Sequence, residues 1–177
     1  MEQKTATIRT LCSKEQIAAR VKELAAQIDK DYAGESVLLL GTLTGSVFFL
    51  TDLAREITVD VELDFIKAFS YQGTQSTGVV EVQYFPTGQC LAGKNVIVVE
   101  DIIDSGTTAK FLQDELKTCT AKSVKICSLL DKPKGRKVPN LEIDYIGFTI
   151  PNEFVVGYGL DFDQKYRNLP YVGILEN

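Results

Sequence analysis

A doubly wound, mostly parallel α/β sheet flanked by helices is the fold this sequence predicts, and three observations carry the prediction. Val37-Leu38-Leu39-Leu40 is a short, continuous apolar run, and residues 95–99 and 124–130 read as further buried strands, the pattern of strands covered on both faces. Segments of helical period lie between these strands, and alternating strands and helices imply a parallel sheet. Gly/Ser/Thr-rich loops, at 41–46 and 104–108, follow two of the strands, where ligands of such sheets bind.

The elements follow in chain order. Ser13-Lys14-Glu15-Gln16 is a capping box, after which Ile17, Val21, Leu24 and Ile28 recur at helical spacing up to Gly34. The strand at 37–40 breaks at Gly41-Thr42-Leu43-Thr44-Gly45-Ser46, and 47–57 reads as a second helix. Val61, Leu63 and Phe65 alternate as a strand, 70–78 reads as a polar loop, and 79–84 resumes strand alternation. Pro86-Thr87-Gly88 marks a turn. The strand at 95–99 feeds an acidic loop, and a helix follows over 107–118 with Phe111, Leu112 and Leu116 on its inner face. The strand at 124–130 precedes a charged loop, 131–137. Residues 143–148, 154–158 and 171–175 complete the strand-like segments.

Composition narrows the chemistry. The 177 residues suit one domain with a single core. The net charge of −5 gives no bulk attraction to nucleic acid or anionic membrane. No apolar run reaches the length of a membrane span, and the first residues lack the apolar core of a secretion signal, so a cytoplasmic location is expected. Cys12, Cys90, Cys119 and Cys127 are scattered without a CxxC pair and read as reduced, mostly buried thiols. The chain contains no histidine. Acid–base work therefore falls to Asp, Glu, Lys or Tyr, and a catalytic metal would be a hard, oxygen-bound ion such as Mg²⁺.

The most informative segment is Val98-Val99-Glu100-Asp101-Ile102-Ile103-Asp104-Ser105-Gly106-Thr107-Thr108-Ala109. After a strand, Asp104 to Thr108 can wrap backbone donors around a phosphate at a helix N-terminus. Gly106 permits close approach or positive φ. Glu100 and Asp101, held outside the sheet once the strand has ended, could accept from a cis-diol or hold metal-bound water, with Asp104 placed as a base. A phosphorylated sugar carries both kinds of group. The pattern is neither GxxxxGK[ST] nor GxGxxG, which disfavours triphosphate and dinucleotide ligands. Asp and Ser are also common N-caps and Gly is common in such loops, but three acids between Val-Val and Gly-Thr-Thr weigh for a site.

This segment resembles the phosphoribosyl-pyrophosphate (PRPP) motif of type I phosphoribosyltransferases, and the rest of the chain is similar to their 6-oxopurine branch, the hypoxanthine/guanine enzymes. Leu43-Thr44-Gly45-Ser46 with Phe49 and Asp52-Leu53 resembles the pyrophosphate loop and helix. Ser70-Tyr71 with Gln75-Ser76-Thr77-Gly78 resembles the mobile lid. Leu129-Leu130-Asp131-Lys132 resembles the strand end with a purine-binding lysine, and 154–161 with Tyr166-Arg167 resembles the base-stacking and pyrophosphate segment.

The resemblance implies a single domain over 1–177, with a small hood from the N-terminal segment and about 150–177. It implies that Glu100 and Asp101 bind the ribose hydroxyls and, with Asp161, Mg²⁺. Asp104 would be the general base at purine N7, and Ser105, Gly106, Thr107 and Thr108 would cradle the 5′-phosphate. Lys132 would donate to the 6-oxo group, Phe154 would stack on the ring, and the Val155 backbone would read the base edge. Thr44, Gly45 and Arg167 would contact pyrophosphate. Thr44 stands where the family often has Lys. Taken singly, Lys132 is a solvated charge in a basic loop, Phe154 a core residue and Arg167 a surface ion-pair partner; company in one pocket would make them functional.

The implied activity converts hypoxanthine or guanine plus PRPP to IMP or GMP plus pyrophosphate, with Mg²⁺, in a homodimer or homotetramer. A xanthine-preferring transferase is the rival within the enzyme class. A non-catalytic PRPP-sensing regulator on the same fold would want a basic face or an added helix-turn-helix, and this acidic chain shows neither.

Overall fold

The computed structural model describes residues 7–70, 80–86 and 88–176; the expectations for Tyr71 and for Gln75-Ser76-Thr77-Gly78 fall outside them. Six strands form the main sheet: β2 (Val37–Thr42), β3 (Val61–Ser70), β4 (Val80–Tyr84), β5 (Asn95–Ile103), β6 (Ser123–Asp131) and β7 (Tyr145–Thr149). Their order is β4-β3-β2-β5-β6-β7. All neighbours are parallel except β3 and β4, where the chain reverses. Beside it, β1 (Thr7–Cys12), β9 (Val172–Glu176) and β8 (Val155–Val156) form an antiparallel three-stranded sheet in that order.

Alternation within the central strands sorts the core onto two faces. Val37, Leu39, Ile97 and Val99 pack with helices α1 (Lys14–Asp31) and α2 (Val47–Glu56), and Cys12, Val155, Val172 and Ile174 of the smaller sheet join them. Leu38, Leu40, Val96 and Val98 pack with α4 (Thr107–Thr118) and with Leu91 of the one-turn helix α3 (Gly88–Leu91). Helices thus cover both faces, as the buried strand pattern requires. The capping box of α1 is formed as read: Gln16 N–H donates to Ser13 Oγ, and the Gln16 side chain accepts from the Ser13 N–H at 2.8 Å. Among the described residues no helix is long and apolar enough to cross a membrane.

Several expectations are corrected. β5 does not stop at Val99 but carries Glu100 through Ile103, paired with β6, because the Glu100 carboxyl finds a partner inside the sheet. Ala109, not Phe111, shares the fully buried face of α4 with Leu112 and Leu116; Phe111 is only partly buried. The strand expected over 154–158 is two residues long, cut short by positive φ at Gly157 and Tyr158. Gly88 opens α3, and Ser70 ends β3. Sequence reading assigned no strand to residues 7–12, which form β1.

Candidate active site

Chain direction puts the site at the carboxyl ends of β2 and β5. Leaving β2, the chain passes to α2 on one face; leaving β5, it passes to α4 on the other. The connections diverge and leave a crevice between adjacent strands. A cavity of about 420 Å³ occupies it, and its walls include Thr42, Thr44, Gly45, Glu100, Asp101, Asp104, Ser105, Gly106, Thr108, Asp161 and Arg167. The acids and the Ser/Gly/Thr loop therefore share one space.

Glu100 is 6 % exposed and its Oε2 accepts from Thr42 Oγ1 at 2.5 Å, while Oε1 is buried without a protein partner. Burial first, and then the neighbouring Asp101 charge, push its pKa from 4.5 up to about 8, against the pull of the Thr42 bond. Burial likewise pushes Asp101 up to about 6, opposed by N–H donation from Ile102 and by the Arg167 charge, with the Asp161 charge raising it. Gly45 is needed beside it, since a Cβ there would overlap the Asp101 carboxylate.

These shifts have a measurable consequence. Between its ordinary and raised pKa, folded Glu100 holds a proton that the unfolded chain has lost, so stability is full below about 4.5 and is lost as pH rises through about 8. The ligand-free protein is expected to melt at progressively lower temperature between about pH 4.5 and 8, with Glu100→Gln, a neutral isostere, flattening the decline. Parallel melting profiles for the two proteins would contradict it.

At the head of α4, Gly106 is the N-cap, with φ 82°, and supplies no side-chain cap; the Thr107 N–H donates instead to Ser105 Oγ at 3.4 Å. Ser105 Oγ and Thr107 Oγ1 lie 3.2 Å apart; Thr107 itself does not line the cavity. The loop is fastened from behind, as Lys137 N and Val138 N both donate to Ser105 O. Arg136 packs against Gly106 and pairs with Asp131.

Opposite α4, Arg167 donates to Gly159 O at 2.6 Å and pairs with Asp161 at 2.7 Å. Gly159 in turn lies on the Gly45 carbonyl, so closely that a Cβ would overlap it. Lys132, Phe154 and Val155 do not line the cavity. Lys132 is buried and joins it through Asp104, with Nζ 3.6 Å from Oδ2. Phe154 is 53 % exposed and meets Phe162 edge-on at 5.7 Å. Val155 is buried in the smaller sheet.

Sequence reading missed Thr42. Its signal was available only through pairing: Gly41 sits opposite Val99, which brings the next residues, Thr42 and Glu100, together. Among the described residues no three acids, cysteines or histidines close into a preformed metal group. Glu100 is turned to Thr42 and Asp161 to Arg167. An all-oxygen set with an orphaned carboxyl oxygen still suits a hard ion such as Mg²⁺.

Comparison with known proteins agrees with this geometry. The family model described as a phosphoribosyl transferase domain matches residues 9–163. A hypoxanthine-guanine phosphoribosyltransferase from Streptococcus pneumoniae is 50% identical over 169 residues, spanning 95% of this chain and 93% of its own length. A bifunctional TilS/HprT protein from Listeria monocytogenes is 45% identical over 95% of this chain and 26% of its own length. A crystal structure of a hypoxanthine-guanine phosphoribosyltransferase from Bacillus anthracis, with HEPES in its active site, superposes with a TM-score of 0.89 at 48% identity, over 96% of this chain and 100% of that one.

Proposed function

The chain belongs to the phosphoribosyltransferase family, and from that premise we propose that it transfers the ribose 5-phosphate of PRPP to hypoxanthine or guanine, giving IMP or GMP and releasing pyrophosphate. The observation that carries the proposal is the single cavity that holds both the carboxylates and the helix-capped loop. PRPP is the kind of molecule such a cavity suits: a diol, a monoester at one end and a diphosphate at the other.

In this reading the 5′-phosphate sits on the α4 N-terminus, where Ser105, Gly106, Thr107 and Thr108 offer N–H and hydroxyl donors and the helix end favours an anion. Glu100 and Asp101 accept from the ribose hydroxyls, and Asp101, the more readily ionised of the two, brings negative charge to a sugar centre that becomes oxocarbenium-like. Thr44, Gly45 and Arg167 receive the pyrophosphate. Asp101 and Asp161, with Glu100 behind them, would hold Mg²⁺, which neutralises charge on the departing diphosphate.

The purine end follows from the Lys132–Asp104 pair. A 6-oxopurine presents O6 and N7 side by side on one edge. A buried ammonium and a carboxylate 3.6 Å apart offer a donor for O6 and an acceptor for the N7 proton. Phe154 keeps an exposed ring available for stacking, and the Val155 backbone lies next to it along the chain. A cytoplasmic location and a homodimeric or homotetrameric assembly belong to the same proposal and rest on kinship alone.

Lys132→Ala is expected to raise KM for the purine roughly 10- to 100-fold, the scale of one charged hydrogen bond, and to leave KM for PRPP within about 2-fold. Equal loss of both would remove Lys132 from the purine subsite. The test of the whole reading is PRPP-dependent nucleotide formation from hypoxanthine, guanine and xanthine in turn, with and without a Mg²⁺ chelator. Turnover of hypoxanthine or guanine that the chelator abolishes supports it. Turnover of xanthine alone would make the enzyme the rival transferase, and no turnover with tight RNA binding would make the protein a regulator.

A further inference from the structure

Two polar side chains outside the proposed machinery meet where the smaller sheet touches α2. Tyr158 is buried, and its hydroxyl donates to Asp52 Oδ2 at 2.6 Å. Its ring lies 6.3 Å from that of Phe48 on the same helix. Asp52 stands in α2, the helix that starts directly after the Thr44-Gly45-Ser46 loop. Tyr158 occupies the centre of three consecutive left-handed residues, with φ of 98°, 50° and 105° at Gly157, Tyr158 and Gly159. The outer two are glycine, for which this conformation is ordinary, but a tyrosine rarely adopts it. Such a backbone persists only where its surroundings over-determine it.

The next residue shows what that conformation positions. Gly159 O holds the Arg167 guanidinium at 2.6 Å, Gly159 N donates to Arg167 O at 2.9 Å, and the Gly159 Cα lies on the Gly45 carbonyl. Tyr158 N is tied to Leu169 O at 2.8 Å. We propose that the Tyr158–Asp52 hydrogen bond is a positioning latch, which seats the Gly159 turn on the Thr44-Gly45 loop and so aims Arg167 and Asp161 at the pyrophosphate subsite. The latch rests on the transferase reading above and adds two positioning residues to it. Burial and the facing Asp52 carboxylate raise the Tyr158 pKa, so the phenol keeps its proton and remains the donor.

A buried tyrosine with a satisfied hydroxyl is an ordinary core feature, so the test must read more than stability. Tyr158→Phe deletes only the hydroxyl and leaves Asp52 at a solvent-accessible position. Calorimetric titration with pyrophosphate in Mg²⁺ and, separately, with IMP reads the two ends of the site without turnover. Tyr158→Phe is expected to weaken pyrophosphate about 10-fold, the scale of one net hydrogen bond, with IMP affinity held within about 2-fold. Asp52→Ala should reproduce this, and it approaches the same bond from the exposed side should Tyr158→Phe fold poorly. Asp52→Asn, which keeps an acceptor oxygen, should restore most of the affinity. Wild-type pyrophosphate affinity in both Tyr158→Phe and Asp52→Ala, or equal loss of pyrophosphate and IMP, overturns the latch alone. A wild-type protein that binds neither ligand overturns the transferase reading with it.

Discussion

Asp104→Ala is expected to lower kcat by roughly 10²–10⁴, the usual cost of losing a general base, while KM for PRPP changes little. The chain has no histidine, and Asp104 is the carboxylate in the cavity wall that faces the buried Lys132 ammonium. Among the described residues of the wall, no other acid is paired with Lys132. The short 3₁₀ turn at Pro133–Gly135 runs close by: a Cβ at Gly135 would meet the Asp104 carboxylate and displace it. Truncation to Ala also leaves Lys132 without its facing charge, which would perturb purine affinity. Asp104→Asn separates the two effects, since the amide fills the space but takes up no proton. A kcat loss in Asn close to that in Ala assigns the effect to the base. An unchanged kcat in either variant removes Asp104 from proton transfer.

What the sequence made readable is local, and what it hid is non-local. The α1 capping box needs only Ser13 and Gln16, and α4 needs only its own apolar spacing and Gly106, so both were legible. The acids and the loop of the candidate site were legible because they are contiguous. β1 was not, since its strand state depends on pairing with β9 at the other end of the chain. The length of β5 was misread for the same reason. An acid at position 100 looks like a strand end until Thr42 of the neighbouring strand satisfies it. The hydroxyl of Tyr158 gives no sequence sign of its acceptor, 106 positions away. Lys132, Phe154 and Val155, which the resemblance implied for the purine, do not line the cavity of the acids and the loop, so no contiguous pattern tied them to it.

Gly159→Ala is expected to cut kcat/KM for PRPP by roughly 10²–10³, with purine KM much less affected, because a misplaced positioning element of about 1 Å can cost this much. Two independent constraints meet at this residue. Its φ of 105° is a conformation that L-residues rarely adopt, and a Cβ would overlap the Gly45 carbonyl oxygen. Backbone lies on both sides of the clash, so no side chain can swing away to relieve it. Either the Gly159 turn lifts, carrying away the carbonyl that holds Arg167, or the Thr44-Gly45 loop is pushed off its place beside Asp101; in the proposed reading both serve the pyrophosphate end. Gly34→Ala is the matched control, since φ there is 80° but a Cβ would meet nothing within 4 Å. That change isolates backbone strain, at about 1 kcal/mol of stability, and should leave the kinetics untouched. If Gly159→Ala shows the same small loss of stability and full PRPP kinetics, contact between the turn and the loop has no part in placing Arg167.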